Sequence, residues 1–185
     1  MGRIKTHILD HRKILNEVFI ETGTFRGESL EFASSLPFNE LHSCDVSARH
    51  YNNAVEKFKN NKKINLHHES SHTLLRKIID PKKSTTFWLD GHWQNLGADE
   101  IDIVATECPL KVELEQIFEK DWVVPPLILI DDARHYPVKK SDKKLSKNGY
   151  DMKQWISIEE IVNMMPSGYN YKIVKDVIWI YAILL

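Results

Sequence analysis

The sequence predicts an α/β fold: a mostly parallel seven-stranded sheet with helices on both faces, closed at its C-terminal end by an antiparallel hairpin. Three observations predict it. Five apolar runs of strand length alternate with segments of helical spacing, the pattern of parallel strands joined by helical crossovers. Two of those runs stop at aspartates, in FWLDGHW (87–93) and LILIDDARH (127–135), as buried parallel strands do where their carboxyl ends line a ligand crevice. The chain then finishes on YNYKIVK and DVIWIYAIL, two strand runs with room between them for a tight turn and none for a helix, so they must pair antiparallel.

The elements follow in order. Residues 4–16 have the spacing of a short helix leading into the first strand, EVFIE (17–21). A glycine-containing turn, TGTFRGES, comes next, and SLEFASSL opens a helix. The second strand is ELHSCD (40–45), ahead of helical SARHYNNAVEKFKNN; the third is INLHH (64–68), ahead of SHTLLRKIID. TTFWLD (85–90) is the fourth, and a polar loop separates it from the helix CPLKVELEQIFEK and the fifth strand, PLILID (126–131). A lysine-rich stretch, VKKSDKKLSKNG, and a helix over ISIEEIVNMM lead to the hairpin. With no repeat or low-complexity linker, 185 residues suffice for one well-buried core and not for two, so residues 1–185 read as one domain.

The composition excludes several classes. Hydrophobic content of 42% and charged content of 28% are those of a globular protein, and a net charge of −1 supplies no field for nucleic acid or an anionic membrane. No apolar stretch approaches the roughly 20 residues that span a bilayer, and MGRIKTHILDHRK lacks the apolar core of a signal peptide. Two cysteines, Cys44 and Cys108, make no disulfide framework. A cytoplasmic location is expected.

Chemistry is expected at the carboxyl ends of the strands. Asp90, Asp131 and Asp132 would stand together at one rim, with His92 and His135 beside them. Three carboxylates converging in a partly dry cleft need a cation, and oxygen ligands in this number suit Mg²⁺, Mn²⁺ or Ca²⁺ rather than zinc. A cation chelating a hydroxyl lowers its pKa, and His92 is placed to take the proton. In the first turn, Gly23 and Gly27 allow backbone to approach a ligand, although Phe25 breaks a GxGxxG pattern. Glu21 at the end of the first strand would repel a pyrophosphate and attract a cationic group. Asp45, about twenty residues past the glycines, is placed to hold the ribose hydroxyls of an adenine cofactor. Glu69, Ser70 and Ser71 follow the third strand, where an adenine edge would lie. His67, His68 and His72 read as structural or surface residues, and the lysine run 139–147 as a solvated loop.

With these residues in place, the chain resembles class I S-adenosylmethionine-dependent methyltransferases over nearly its whole length. More narrowly it is similar to the metal-dependent sugar O-methyltransferases of macrolide and aminocoumarin tailoring, and to small methyltransferase domains of surface-glycan biosynthesis. Their first turn, acid-x-Gly-x-x-Arg-Gly-x-Ser, is matched by Glu21, Gly23, Arg26, Gly27 and Ser29, with Thr24 inside it. The resemblance implies S-adenosyl-L-methionine over that turn and a divalent cation, Mg²⁺ or Mn²⁺, on Asp90, Asp131 and Asp132. It puts the base two residues after the strand-four Asp, at His92, where the family commonly has Asp. Trp93 and His135 would contact the acceptor, a sugar or glycan such as one bearing a deoxyhexose like rhamnose. Nucleic acid and membrane are not expected partners. The alternatives are a catechol-type or other small-molecule O-methyltransferase, a non-catalytic cofactor-binding module of the same fold, and a nucleotide-binding dehydrogenase, which Glu21 and the terminal hairpin speak against.

Overall fold

A computed structural model describes residues 17–92, 108–142 and 153–183. The strands are β1 (Val18–Thr22), β2 (Glu40–Cys44), β3 (Ile64–His67), β4 (Thr85–Leu89), β5 (Leu127–Ile130), β6 (Tyr169–Val174) and β7 (Val177–Ala182). The helices are α1 (Glu28–Ser34), α2 (Ala48–Phe58), α3 (Ser71–Ile78), α4 (Leu110–Phe118) and α5 (Ile158–Met164). Every strand and crossover helix expected in these segments is present, and β1, β2, β4 and β5 end within a residue of Glu21, Asp45, Asp90 and Asp131. The expected helix over 4–16, the loop carrying Trp93 and most of the lysine run lie outside the described residues.

The strands form one sheet in the order β3-β2-β1-β4-β5-β7-β6. β1 to β5 are parallel, while β7 runs antiparallel against β5 and β6. The order reverses between β1 and β4, so the crevice at a topological switch point falls between their carboxyl ends. Side-chain alternation divides the core in two. On one face Val18, Ile20, Phe87, Leu89, Ile128, Ile130, Ile178 and Ile180 pack under α3, α4 and α5. On the other, Phe19, Leu41, Trp88, Leu129 and Trp179 pack under α1 and α2. Because β1, β4 and β5 are buried on both faces, each carries an unbroken apolar stretch, VFI, FWL and LILI.

Two local features fix the ends of elements near the crevice. Ser157 caps α5 with a reciprocal capping box: its hydroxyl accepts the N–H of Glu160, whose carboxylate accepts the N–H of Ser157. Gly23 ends β1 at φ 84, and a Cβ there would lie 2.3 Å from the backbone oxygen of Asp90. No helix among the described residues is long and apolar enough to cross a membrane.

Gly23→Ala is therefore expected to destabilise the fold by at least about 2 kcal/mol, from left-handed strain and the overlap with Asp90 together. Urea unfolding of the two proteins checks this, and equal midpoints would exclude the close approach.

Candidate active site

The turn after β1 is held from below. The N–H groups of Gly23 and Thr24 both donate to the carbonyl of Cys44, 3.0 Å away, which folds the turn across the end of β2. Asp45 braces it from the side: Oδ2 accepts the N–H of Phe25 (2.8 Å) and Oδ1 that of Ser47 (2.9 Å). That brace lets Phe25 sit at φ 47, with its exposed ring edge-on to His50 and under the Arg26 guanidinium. Gly27 is required by packing as well as by its φ of 67, since a Cβ would meet the Phe58 ring at 2.8 Å. Ser29, in the first turn of α1, is buried.

Glu21 lies beneath this turn and not at its surface. It is 1% exposed and accepts the Ser43 hydroxyl at 2.5 Å; Ser43 in turn meets Thr24 Oγ1 at 2.6 Å. Burial pushes its carboxyl up to about 8, with the Asp45 charge adding to the shift and the Ser43 hydrogen bond and Lys57 opposing it.

At the neighbouring strand ends, Asp90, His92 and Asp132 converge, with one donor atom from each lying within 4.8 Å of the others. His92 is buried between the two acids: Nε2 is 3.1 Å from Asp132 Oδ2 and Nδ1 is 3.5 Å from Asp90 Oδ1. Trp155 packs on its ring with centroids 5.1 Å apart, and the His135 ring lies 6.2 Å away. Asp90 is drawn to the tip of β1 by its N–H, which reaches both the carbonyl (3.1 Å) and the hydroxyl (3.2 Å) of Thr22. Burial, then the charges of Asp131, Asp132 and Glu21, raise the Asp90 carboxyl well above the usual range. Asp131 is also raised, chiefly by burial. For Asp132 burial acts upward too, but the His92 hydrogen bond and charge and the Arg134 guanidinium together bring it down to about 2.

The convergent set differs from the expected one in composition. Asp131 is not among the three; its Oδ1 accepts the N–H of Asp132 at 2.8 Å, and Asp132 stands in the left-handed region (φ 56). His92, expected as a base beside an all-oxygen ligand set, stands inside the set. Two carboxylates and an imidazole fit a divalent transition ion such as Mn²⁺ better than Ca²⁺ or Mg²⁺, which prefer oxygen. Of the residues expected at an adenine edge, Glu69 is paired with Lys77, and the Ser70 hydroxyl meets Thr73 Oγ1 at 2.8 Å. Ser71 instead faces a residue the sequence reading missed.

That residue is Glu113. It is 1% exposed, and burial raises its carboxyl to about 7, with the nearby hydroxyls of Ser71 and Thr22 opposing the shift. Its Oε1 lies beneath Gly91, where a Cβ would approach it to 3.2 Å. A signal was available: Leu110, Leu114 and Ile117 form the apolar stripe of α4, and Glu113 sits within it at helical spacing. An acid on an apolar stripe is buried, and a buried acid needs partners.

A carboxyl raised by folding holds its proton in the native state after the unfolded chain has released its own, so stability falls as pH rises between the two values. For Glu21 that window runs from 4.5 to about 8, and for Glu113 from 4.5 to about 7. Stability to urea is expected to decline from pH 5 to pH 8. Glu21→Gln should flatten that slope and make the protein more stable than wild type at pH 8; an unchanged slope would show that Glu21 ionises freely.

No family model matches the chain, and no curated protein matches it in sequence. Its backbone does match solved structures. The SAH-bound methyltransferase PaMTH1 of Podospora anserina superposes with a TM-score of 0.66 at 12% identity, over 98% of this chain and 80% of that one. SMU.1697c of Streptococcus mutans, in complex with SAH, gives 0.62 at 15%, over 99% of both chains. The 23S rRNA methyltransferase ErmE gives 0.57 at 10%, over 98% of this chain and 68% of that one. Likeness at these identities concerns the fold, and the fold of this chain is that of the class I methyltransferases.

Proposed function

We propose that the protein is an S-adenosylmethionine-dependent O-methyltransferase that methylates a sugar hydroxyl with the help of a divalent cation. The observation that carries the reading is the convergence of Asp90, His92 and Asp132 within 4.8 Å, at the carboxyl ends of β4 and β5 and against the glycine turn. The fold supports the cofactor, since two of the matched structures contain SAH. The methyl donor would lie over residues 23–27, with Asp45 near its ribose and the buried Glu21 beneath its charged amino-acid end. A cationic donor there would draw Glu21 back toward its ionised form. Trp93 would face the acceptor. The buried cysteines Cys44 and Cys108, which form no disulfide, accord with a cytoplasmic location.

The chain's own groups divide the work. Asp90 and Asp132 would hold the cation, which supplies Lewis acidity to the acceptor hydroxyls when bound. With the cation on the two carboxylates alone, His92, fixed by Trp155 and by its contact to Asp132, would accept the hydroxyl proton as oxygen attacks the sulfonium methyl and SAH departs; as a third ligand to the cation it would not be the base. Positioning and electrostatics would account for most of the rate gain. A second, cation-independent form is favoured by one specific contact. The 3.1 Å approach of His92 Nε2 to Asp132 is that of an acid-oriented histidine base, which needs no metal.

Calorimetric titration with S-adenosylmethionine and SAH, each with Mn²⁺ and with EDTA, tests the cofactor; absence of binding in both conditions would sink the reading. Asp132→Ala is expected to lower methyl transfer to a glycan acceptor by about 100-fold or more while SAH affinity stays within a few-fold. Transfer that survives EDTA unchanged would select the cation-independent form. Transfer to catechols and not to deoxyhexose glycans would overturn the sugar assignment.

A further inference from the structure

Asp132 is the acid on which the site turns, and it stands in a backbone conformation that non-glycine residues seldom adopt. Something must hold it there. The neighbouring N–H groups show what does. Ala133 N–H donates to the carbonyl of Asp176 at 2.8 Å, and Arg134 N–H donates to Asp176 Oδ1 at 2.9 Å. The Arg134 guanidinium closes the loop, pairing with the Asp176 carboxylate and lying 2.6 Å from Asp132 Oδ1. Asp176 belongs to the two-residue turn of the terminal hairpin, and sheet register explains its location. β7 meets β5 with Ile130 opposite Ile178, so two further residues along each strand bring Asp176 opposite Asp132.

We propose that Asp176 is a positioning residue for Asp132: the hairpin tip sets the orientation of the carboxylate that faces His92. The proposal rests on the reading of Asp90, His92 and Asp132 as a cation and proton-transfer site, but makes a claim about geometry that can be read without turnover. Groups that orient a metal ligand commonly change metal affinity by about 10- to 100-fold when removed. Asn at 176 keeps an oxygen able to accept the Arg134 N–H; Ala removes it; Glu keeps the charge but sets the oxygen a methylene too far.

The test titrates Mn²⁺ into wild type, Asp176→Ala, Asp176→Asn and Asp176→Glu, with SAH affinity and melting temperature measured on each. Asp176→Ala should weaken Mn²⁺ binding about 10- to 100-fold. Asp176→Asn should remain within about threefold of wild type, and SAH affinity should hold throughout. Asp176→Glu should weaken Mn²⁺ by more than about threefold, and it decides the matter if the Ala variant does not fold. Amide and His92 ring resonances, recorded without metal, give an independent answer. They should move at His92, Asp132 and Arg134 in Asp176→Ala and stay in place at Gly23 and Gly27. Wild-type Mn²⁺ affinity in both Asp176→Ala and Asp176→Glu, or equal loss in the Asn and Ala variants, overturns the proposal. So do unmoved His92 and Asp132 resonances. If wild type itself binds no Mn²⁺, the cation reading fails, and the resonances alone still decide the role of Asp176.

Discussion

Everything at the carboxyl edge of this sheet answers to one constraint: too much negative charge in too little water. Glu21, Asp90, Asp131, Asp132 and Glu113 all gather around the ends of β1, β4 and β5, and four of the five are under 10% exposed. Two unit charges 4.8 Å apart repel by about 3 kcal/mol at an effective dielectric near 20, so the chain cannot keep all of them ionised. The fold resolves this unequally. Asp132, with His92 and Arg134 against it, is driven down to about 2, while Glu21, Asp90, Asp131 and Glu113 are all driven up. Among the described residues, the cationic side chains that act on it are Arg134, against Asp132, and the more distant Lys57. An edge arranged this way favours ligands that bring positive charge, which is what a sulfonium cofactor and a divalent ion share.

Close packing keeps the acids in place where charge alone would scatter them. Gly23 and Gly91 let the tips of β1 and β4 approach so nearly that neither position has space for a methyl group without displacing a neighbour. Gly27 lets the Phe58 ring close over the start of α1. From the opposite side, β7 carries Asp176 to the far end of β5 by register alone. The antiparallel hairpin therefore does more than close the sheet. A parallel last strand would present a helix crossover at that end, whereas an antiparallel one presents a tight turn whose backbone and carboxylate can reach the loop after β5.

The sequence was most legible where periodicity and punctuation agree. Apolar runs ending in Asp located β4 and β5, the paired terminal runs located the hairpin, and the acid spacing placed Asp45 beside the glycine turn. It was least legible where function depends on side-chain direction. Asp131 and Asp132 are adjacent and chemically identical, and nothing in IDDARH says which one faces His92; the left-handed turn at Asp132 decides that, and the two N–H groups after it bond to Asp176, more than forty residues away. Glu69 looked available beside a presumed adenine edge, but Lys77, one helical stretch on, takes it. Glu113 and Trp155 were passed over because each looks like an ordinary part of a helix or its approach, although an acid on the apolar stripe of α4 marked one of them.

Thr22 links the two halves of the site. It is fully buried at the end of β1, one residue before the glycine turn. Its carbonyl and hydroxyl both receive the Asp90 N–H, and its hydroxyl lies near Gly91, as Glu113 Oε1 does. One peptide step, about 3.8 Å between Cα atoms, therefore separates the turn proposed to carry the methyl donor from the contact that fixes an acid of the acceptor side. Transfer in line demands a donor carbon and an acceptor oxygen held about 3 Å apart. A scaffold that ties both sides to consecutive residues of one buried strand cannot shift one without the other. Movement of the turn on ligand binding would thus be felt at Asp90 through Thr22.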